Sequence, residues 1–463
     1  MVVKFLGKSH KRHWKFAPRL AENLMWYLFL IFKKPGENNM KRKRLSVALL
    51  ALSLVLVVSA CGKSTSNNSA GNESADGKIK LKFWYWNGAV SDSTIEAAKE
   101  KFPNIDLQAE KLPSGGDFLT KLKTTITGGG SGPDIVTMDG WISTMLSYKE
   151  KFVNLYDQGA RDIQPQYLDW KWKLGTSADD KYMIGLPIDV APVVMYYRSD
   201  LFEQAGVPSK PEELKEQVKT WDDYFNILKQ IKDKTGATTT SIVDVFSSIV
   251  GQSPQTYFDT EGNYIGDQAH VKAAWDQAVK AYQMGITFPF SSDSERNAAI
   301  NNGEIATFPG ASWAVGDLAS AAPDTKGKWN IAYPPGGVGN QGGSFIGILK
   351  STKHPQEAYE VIKFLTSPDN LVKGYKEFGN YPSTPEVYSK PEMENKNEFF
   401  ANQDLSVVFG EAAKDVKVAH TDPRDDMVIT TLTKSLGSVD AQKKDSEKAW
   451  AEAQEQIKRQ LSR

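Results

Sequence analysis

Few side chains beyond residue 60 are spaced for covalent or metal chemistry. Histidine occurs there only as His270, His354 and His420, too scattered to suggest a shared metal site. Gly310-Ala311-Ser312-Trp313-Ala314 and Gly342-Gly343-Ser344-Phe345-Ile346 each approach a nucleophile elbow but lack its last glycine. The loop Gly128–Pro133 has no Lys-Ser/Thr and reads as a turn before a strand rather than a phosphate loop. Asp259-Thr260-Glu261-Gly262-Asn263 is acidic but out of register with a calcium loop. The chain has one cysteine, Cys61, so no disulfide can form within it, and free-thiol catalysis is disfavoured. No cofactor and no metal are expected. What remains is equipment for binding. Trp84-Tyr85-Trp86-Asn87 and Asp139-Gly140-Trp141 put aromatic and polar groups at the ends of predicted strands, where a core strand has no need of them.

The elements that must position these residues follow from periodicity. Ile79–Phe83 alternates apolar and polar, the period of a strand, and its run continues to Trp86 before Asn87-Gly88. A helix over 93–102, a strand over 105–112, a helix over 117–126 and a strand over 134–138 follow. Strand, helix, strand, helix, strand implies a parallel sheet with right-handed crossovers. Ligands of such sheets meet the crevice outside the carboxyl ends of the strands, so both strand ends point to one cleft. Beyond Pro187 a Pro-punctuated β-rich run to Arg198 enters a helix over 199–205, and helical patterns dominate from Trp221 to Asn302. A strand and turn over 305–313 follow. This part reads as a second lobe.

The 463 residues carry 56 basic and 56 acidic side chains, about two to four domains' worth of chain. Their cancellation hides a segregation. Residues 1–60 hold twelve basic side chains and only Glu22 and Glu37 as acids, net +10, which leaves the remainder at −10. An acidic body argues against nucleic acid as a partner. From Met40 the basic cluster Lys41–Arg44, the apolar run Leu45–Val58 and the small residues Ser59 and Ala60 give the order of a secretory signal. Val58-Ser59-Ala60-Cys61 resembles a bacterial lipobox, in which cleavage before the cysteine leaves its thiol carrying diacylglycerol. An uncleaved anchor or an ordinary signal with an incidental cysteine is the alternative. Met40 is read as the true start, a longer bipartite leader being the other possibility. Residues 61–77 are rich in Ser, Asn and Gly and are expected to be a flexible tether.

The ordered motifs GLPIDVAPVVMYYR, GEIATFPGASWAVGDL, GGSFIGILKSTKHPQEAYEVIKFLTSP and NYPSTPEVY, with a C-terminal helix beginning in SVDAQKKDSEKAWAEAQEQIKRQL, resemble the extracellular solute-binding proteins of carbohydrate ABC importers, the maltose-binding-protein-like group. The resemblance spans nearly all of 78–463. It implies an α/β fold of two hinge-connected lobes, the type II periplasmic-binding-protein-like architecture, closing on sugar. Crossings are expected near Asp189–Val194, Gly342–Gly347 and Gly379–Ser383, which makes lobe one 78–189 plus 342–378 and lobe two 190–341 plus 379–463. It also implies a carbohydrate ligand, permease partners coupled to a cytoplasmic ATPase, action as a monomer, and attachment to the outer face of the cell membrane through lipid on Cys61. An exported glycoside-active enzyme, or a binder of peptide or another polar solute, are the rival readings.

A sugar needs flat aromatic platforms for its C–H faces and a few polar groups for its hydroxyl rim. Gly310-Ala311-Ser312-Trp313 resembles the family's Gly-x-x-Trp element, so Trp313 is the leading platform, followed by Trp141 and Trp86, with Trp84 beside them. Asp139 and Asp189 are the expected hydroxyl acceptors, with a helix cap and a turn as their ordinary alternatives. Asn87, Ser344 and Tyr381 are further lining candidates, and Tyr381 also fits a purely structural place at the hinge. Arg424 is suited to a uronate carboxylate, although a surface arginine satisfied by Asp422 or Asp425 is the favoured reading.

Overall fold

The computed structural model describes residues 77–129 and 132–462. The signal, Cys61 and all but the last residue of the tether lie outside them. Strand β1 (Ile79–Trp86) alternates its side chains across two faces, as its sequence requires. Leu81, Phe83 and Tyr85 enter one core with Ile95 and Ala98 of helix α1 (Asp92–Lys101). Trp84 and Trp86 face the other side, against Phe118, Leu122 and Ile126 of helix α2 (Gly116–Gly128). β1 pairs in parallel with β2 (Ile105–Leu112) and with β3 (Ile135–Met138). All four residues of β3 are buried, as expected of a central strand covered on both faces. The sheet is not parallel throughout. β10 (Phe345–Ile348) runs antiparallel to both β3 and β4 (Leu186–Pro187), giving the order β2-β1-β3-β10-β4.

The second sheet has the order β7-β8-β6-β9. Its strands are β6 (Val194–Arg198), β7 (Thr238–Thr239), β8 (Ile305–Gly310) and β9 (Trp329–Ala332). Met195 and Tyr197 point to one core and Val194 and Tyr196 to another, so this sheet too is covered on both faces. Helix α3 (Trp221–Thr235) shows how local sequence sets an element. Thr220 and Asp223 cap its N-terminus reciprocally, and Gly236 in the left-handed region ends it. Its Trp221, Tyr224, Phe225, Leu228 and Ile231 form the buried stripe. The C-terminal segment differs from the single helix read from the sequence. It folds as Asp425–Ala441 and Ser446–Leu461, because the first helix ends at Ala441 and Asp445 caps the second by accepting the Lys448 N–H at 2.8 Å.

Three extended segments join the two sheets side by side. β5 (Asp189–Val190) pairs antiparallel with β11 (Tyr381–Pro382). Pro192 bridges Asn340, and the Gln341 and Val193 N–H groups donate to Ala191 and Gly339 carbonyls, each at 2.9 Å. The middle crossing occupies 339–344, slightly earlier than the sequence suggests, because Phe345 already belongs to β10. Gly342 and Gly343 lie there at φ +102° and +89°, a region that only glycine enters without strain. Helix α5 (Pro368–Phe378) serves both sides: Leu371 packs with the core beneath β1, whereas Val372 and Tyr375 pack with Tyr381 and Phe409.

Candidate functional site

Trp313 is 44% exposed, and only Val407 joins it as an exposed large apolar side chain among the described residues. Its position is built from below. Tyr196, buried in β6, donates its hydroxyl to the Ala311 carbonyl at 2.7 Å and fixes the turn after β8. Trp313 then precedes helix α4 (Ala314–Ala321), and its indole N–H donates to the Gln341 carbonyl in the middle crossing at 3.1 Å. An aromatic face is thus held in place beside the hinge.

This face borders a cavity of about 820 Å³. Other walls are Phe308, Arg296 and Asn297 of the helix Asp293–Asn302, Asp244 of the helix Ile242–Gly251, Asp317 of α4, and Asn340 and Gln341 of the crossing. Phe308 stacks on Tyr196 with ring centroids 5.2 Å apart and planes within 7°. The Arg296 guanidinium lies 4.9 Å above the Phe308 ring. Asp244 accepts hydrogen bonds from Ser241 at 3.0 Å and from Thr240. Asn340 braces the hinge, accepting the Ala191 N–H at 3.0 Å and donating to the Gly342 carbonyl at 2.8 Å. A flat apolar face ringed by fixed donors and acceptors suits a polar ligand with apolar faces.

Asp189, Ser344 and Asp139 gather beneath the hinge instead. Asp189 is 8% exposed, and its Oδ1 accepts the Ser344 N–H at 2.7 Å. Burial pushes its carboxyl up, against the pull of Lys171. Asp139 accepts the Gly140 N–H at 2.6 Å and faces Gly342, where a methyl would lie 3.5 Å from its Oδ1. Trp141 follows it, partly buried against the α2 core.

The remaining candidates are engaged elsewhere. Trp84 donates to Glu110 at 2.8 Å beneath the Lys121 ammonium, 4.1 Å from its ring. Trp86 is 8% exposed and packs edge-on against Phe118. Asn87 is exposed and accepts from Lys111 at 3.5 Å. Tyr381 is fully buried and donates to the Ser406 carbonyl at 2.8 Å, a structural place in the hinge. Arg424 is held by both oxygens of Asp422 at 2.7 Å and by the Gly262 carbonyl, over the Phe258 ring, the surface ion pair its sequence context favours.

Lys171 escaped the sequence reading. It lies on the helix Asp169–Leu174, whose Asp169 and Lys173 pair on the exposed face at 2.6 Å, while Lys171 turns inward and is fully buried. Asp244, Arg296, Asp317 and Asn340 were missed because each reads as an ordinary surface or cap residue. No group of three or more His, Cys, Asp or Glu among the described residues is arranged to hold a metal. No helix among them is long and apolar enough to cross a membrane.

Two sheets joined by three crossings, with a cavity beside the hinge, define a two-lobe binding protein. The model for bacterial extracellular solute-binding proteins matches residues 93–401. A crystal structure of an extracellular solute-binding protein of family 1 shares 30% identity and a TM-score of 0.78, covering 82% of this chain and 99% of that one. The arabinooligosaccharide-binding protein of Bacillus subtilis (strain 168) is 25% identical over 387 residues, 78% of this chain and 84% of that protein. The lactose-binding protein of Rhizobium radiobacter is 26% identical over 355 residues, 70% of this chain and 79% of that protein. The chain belongs to the bacterial extracellular solute-binding proteins.

Proposed function

We propose that the protein is the ligand-capturing component of an ABC importer, taking an oligosaccharide between lobes 78–189 plus 342–378 and 190–341 plus 379–463. The observation that carries this is Trp313, a fixed and half-exposed aromatic face bordering a cavity that lobe two lines with apolar and polar groups up to the crossing at 339–341. At about 820 Å³ the cavity lies high in the ~300–1,000 Å³ range of small-molecule sites, which favours a ligand of several rings. The relatives named for arabinooligosaccharide and lactose binding support the same class. Binding proceeds without turnover, and the captured sugar passes to permease subunits driven by a cytoplasmic ATPase. Cleavage before Cys61, outside the described residues, leaves a diacylglyceryl cysteine that holds the monomer at the outer face of the membrane. Two acyl chains suffice where one would anchor only weakly.

Calorimetric titration with arabinooligosaccharides, lactose and galactooligosaccharides, followed by chromatography of the recovered sugar, tests the reading. Saturable binding of one of them with the sugar recovered intact is expected. Cleavage products, or silence toward every saccharide alongside peptide binding, would overturn it.

A further inference from the structure

Lys171 is an anomaly for a binding protein's hinge. It is fully buried, and its Nζ has no hydrogen-bond partner among the described residues. The ammonium rests 3.8 Å from the centre of the Phe345 ring in β10. A methyl built on Gly343 would stand 2.6 Å from Nζ and 2.7 Å from the Asp189 carbonyl oxygen, so the middle crossing folds directly over the lysine and needs glycine to do so. Two carboxylates pull on its charge without reaching ion-pair distance: Asp189 of the first crossing and Asp139 after β3. On the lysine's own helix, Asp169 and Lys173 are spent on each other at the surface. A buried ammonium without a partner is costly, and it gains most from any rearrangement that supplies one. Asp189 stands where lobe one passes into the first crossing, so a turn of that crossing's backbone about β5 is the nearest rearrangement that changes its separation from Lys171.

We propose that Lys171 is a positioning residue for ligand capture: its ammonium takes Asp189 as ion-pair partner when the crossings rotate to close the lobes, so the closed state is favoured while Lys171 is protonated. The inference rests on capture of a sugar between the lobes. Burial lowers Lys171 to about 7, against the pull of Asp189 and Asp139. Pairing on closure raises it again, so ligand binding takes up a proton and affinity is highest below that pH.

The test titrates the wild-type full chain with the oligosaccharide it binds best, between pH 6 and pH 9, in pairs of buffers with different ionisation enthalpies. Affinity falling about tenfold across that range, for a shift of roughly one pKa unit on closure, with proton uptake near neutrality, is expected. Lys171→Met should bind with a flat profile and take up no proton, and Asp189→Asn should lose the dependence as well. A flat wild-type profile without proton uptake, or an unchanged profile in Lys171→Met, would overturn the proposal. If no sugar binds, the reading of function fails but the lysine is still decided. Fluorophores on the exposed ends of the helices 92–101 and 221–235 report the distance between the lobes of the ligand-free chain. The wild type is then expected to draw together as pH falls through about 7, and superimposable curves for wild type and Lys171→Met would refute the device.

Discussion

Replacing Trp313 by alanine removes the one exposed aromatic face at the cavity, and the expected loss can be worked from its burial. A tryptophan side chain offers up to about 250 Å², so 44% exposure leaves roughly 110 Å² for a ligand to cover. At about 25 cal/mol per Å², complete cover is worth ~3 kcal/mol. A sugar ring stacking on one face covers about half of that, ~1.4 kcal/mol, or tenfold in Kd. The remaining 56% of the side chain and the bond to the Gln341 carbonyl contribute to the fold, so the variant should also unfold more easily. Calorimetric titration of wild type and Trp313→Ala at one pH measures the first effect, and a denaturant curve on the same samples measures the second. A folded Trp313→Ala that binds oligosaccharide as tightly as the wild type would remove Trp313 from the site and with it the reasoning that places the ligand there.

Three other perturbations have defined outcomes. Lys171 has a folded pKa of about 7 against 10.5 when exposed, so the unfolded chain binds more protons between those values and wild-type stability rises with pH across that window. Below it the buried ammonium costs about 5 kcal/mol, and Lys171→Met should flatten the pH dependence of the chemical-denaturation midpoint between pH 7 and pH 10; an unchanged slope would contradict this. Gly343→Ala places a methyl against Lys171 Nζ and the Asp189 carbonyl at positive φ and should destabilise the chain by about 1–3 kcal/mol, measured by thermal unfolding. Arg424→Ala should leave oligosaccharide affinity unchanged in the same titration, because its guanidinium is committed to Asp422.

What the sequence reveals of this molecule follows the range of the forces involved. The alternation in Ile79–Trp86 and the apolar spacing in Trp221–Thr235 are local, and both elements form where the pattern puts them. The antiparallel entry of β10 into the first sheet is not local: Phe345–Ile348 meets Ile135–Met138 only after some two hundred residues have folded elsewhere. The tryptophans show the same divide. Trp84 and Trp313 both stand at strand ends or turns, yet helix 116–128 with Lys121 lies over the first, while the second keeps 44% of its surface exposed beside the cavity. Lys171 is illegible for a related reason. In DWKWKL nothing distinguishes it from Lys173, and only the docking of that helix under the Gly343 crossing decides which lysine is buried. Asp139 and Asp189 are legible as residues at a strand end and a hinge, but their shared counter-charge is visible only in three dimensions.

A crystal structure of the full chain with its tightest-binding oligosaccharide is the most direct test of capture between the lobes. The expected result is a sugar ring stacked on Trp313, its hydroxyls within hydrogen-bond distance of groups from both lobes, and crossings 189–193 and 339–344 rotated from their present arrangement. A sugar bound away from Trp313, or held by one lobe with the crossings unmoved, would contradict it.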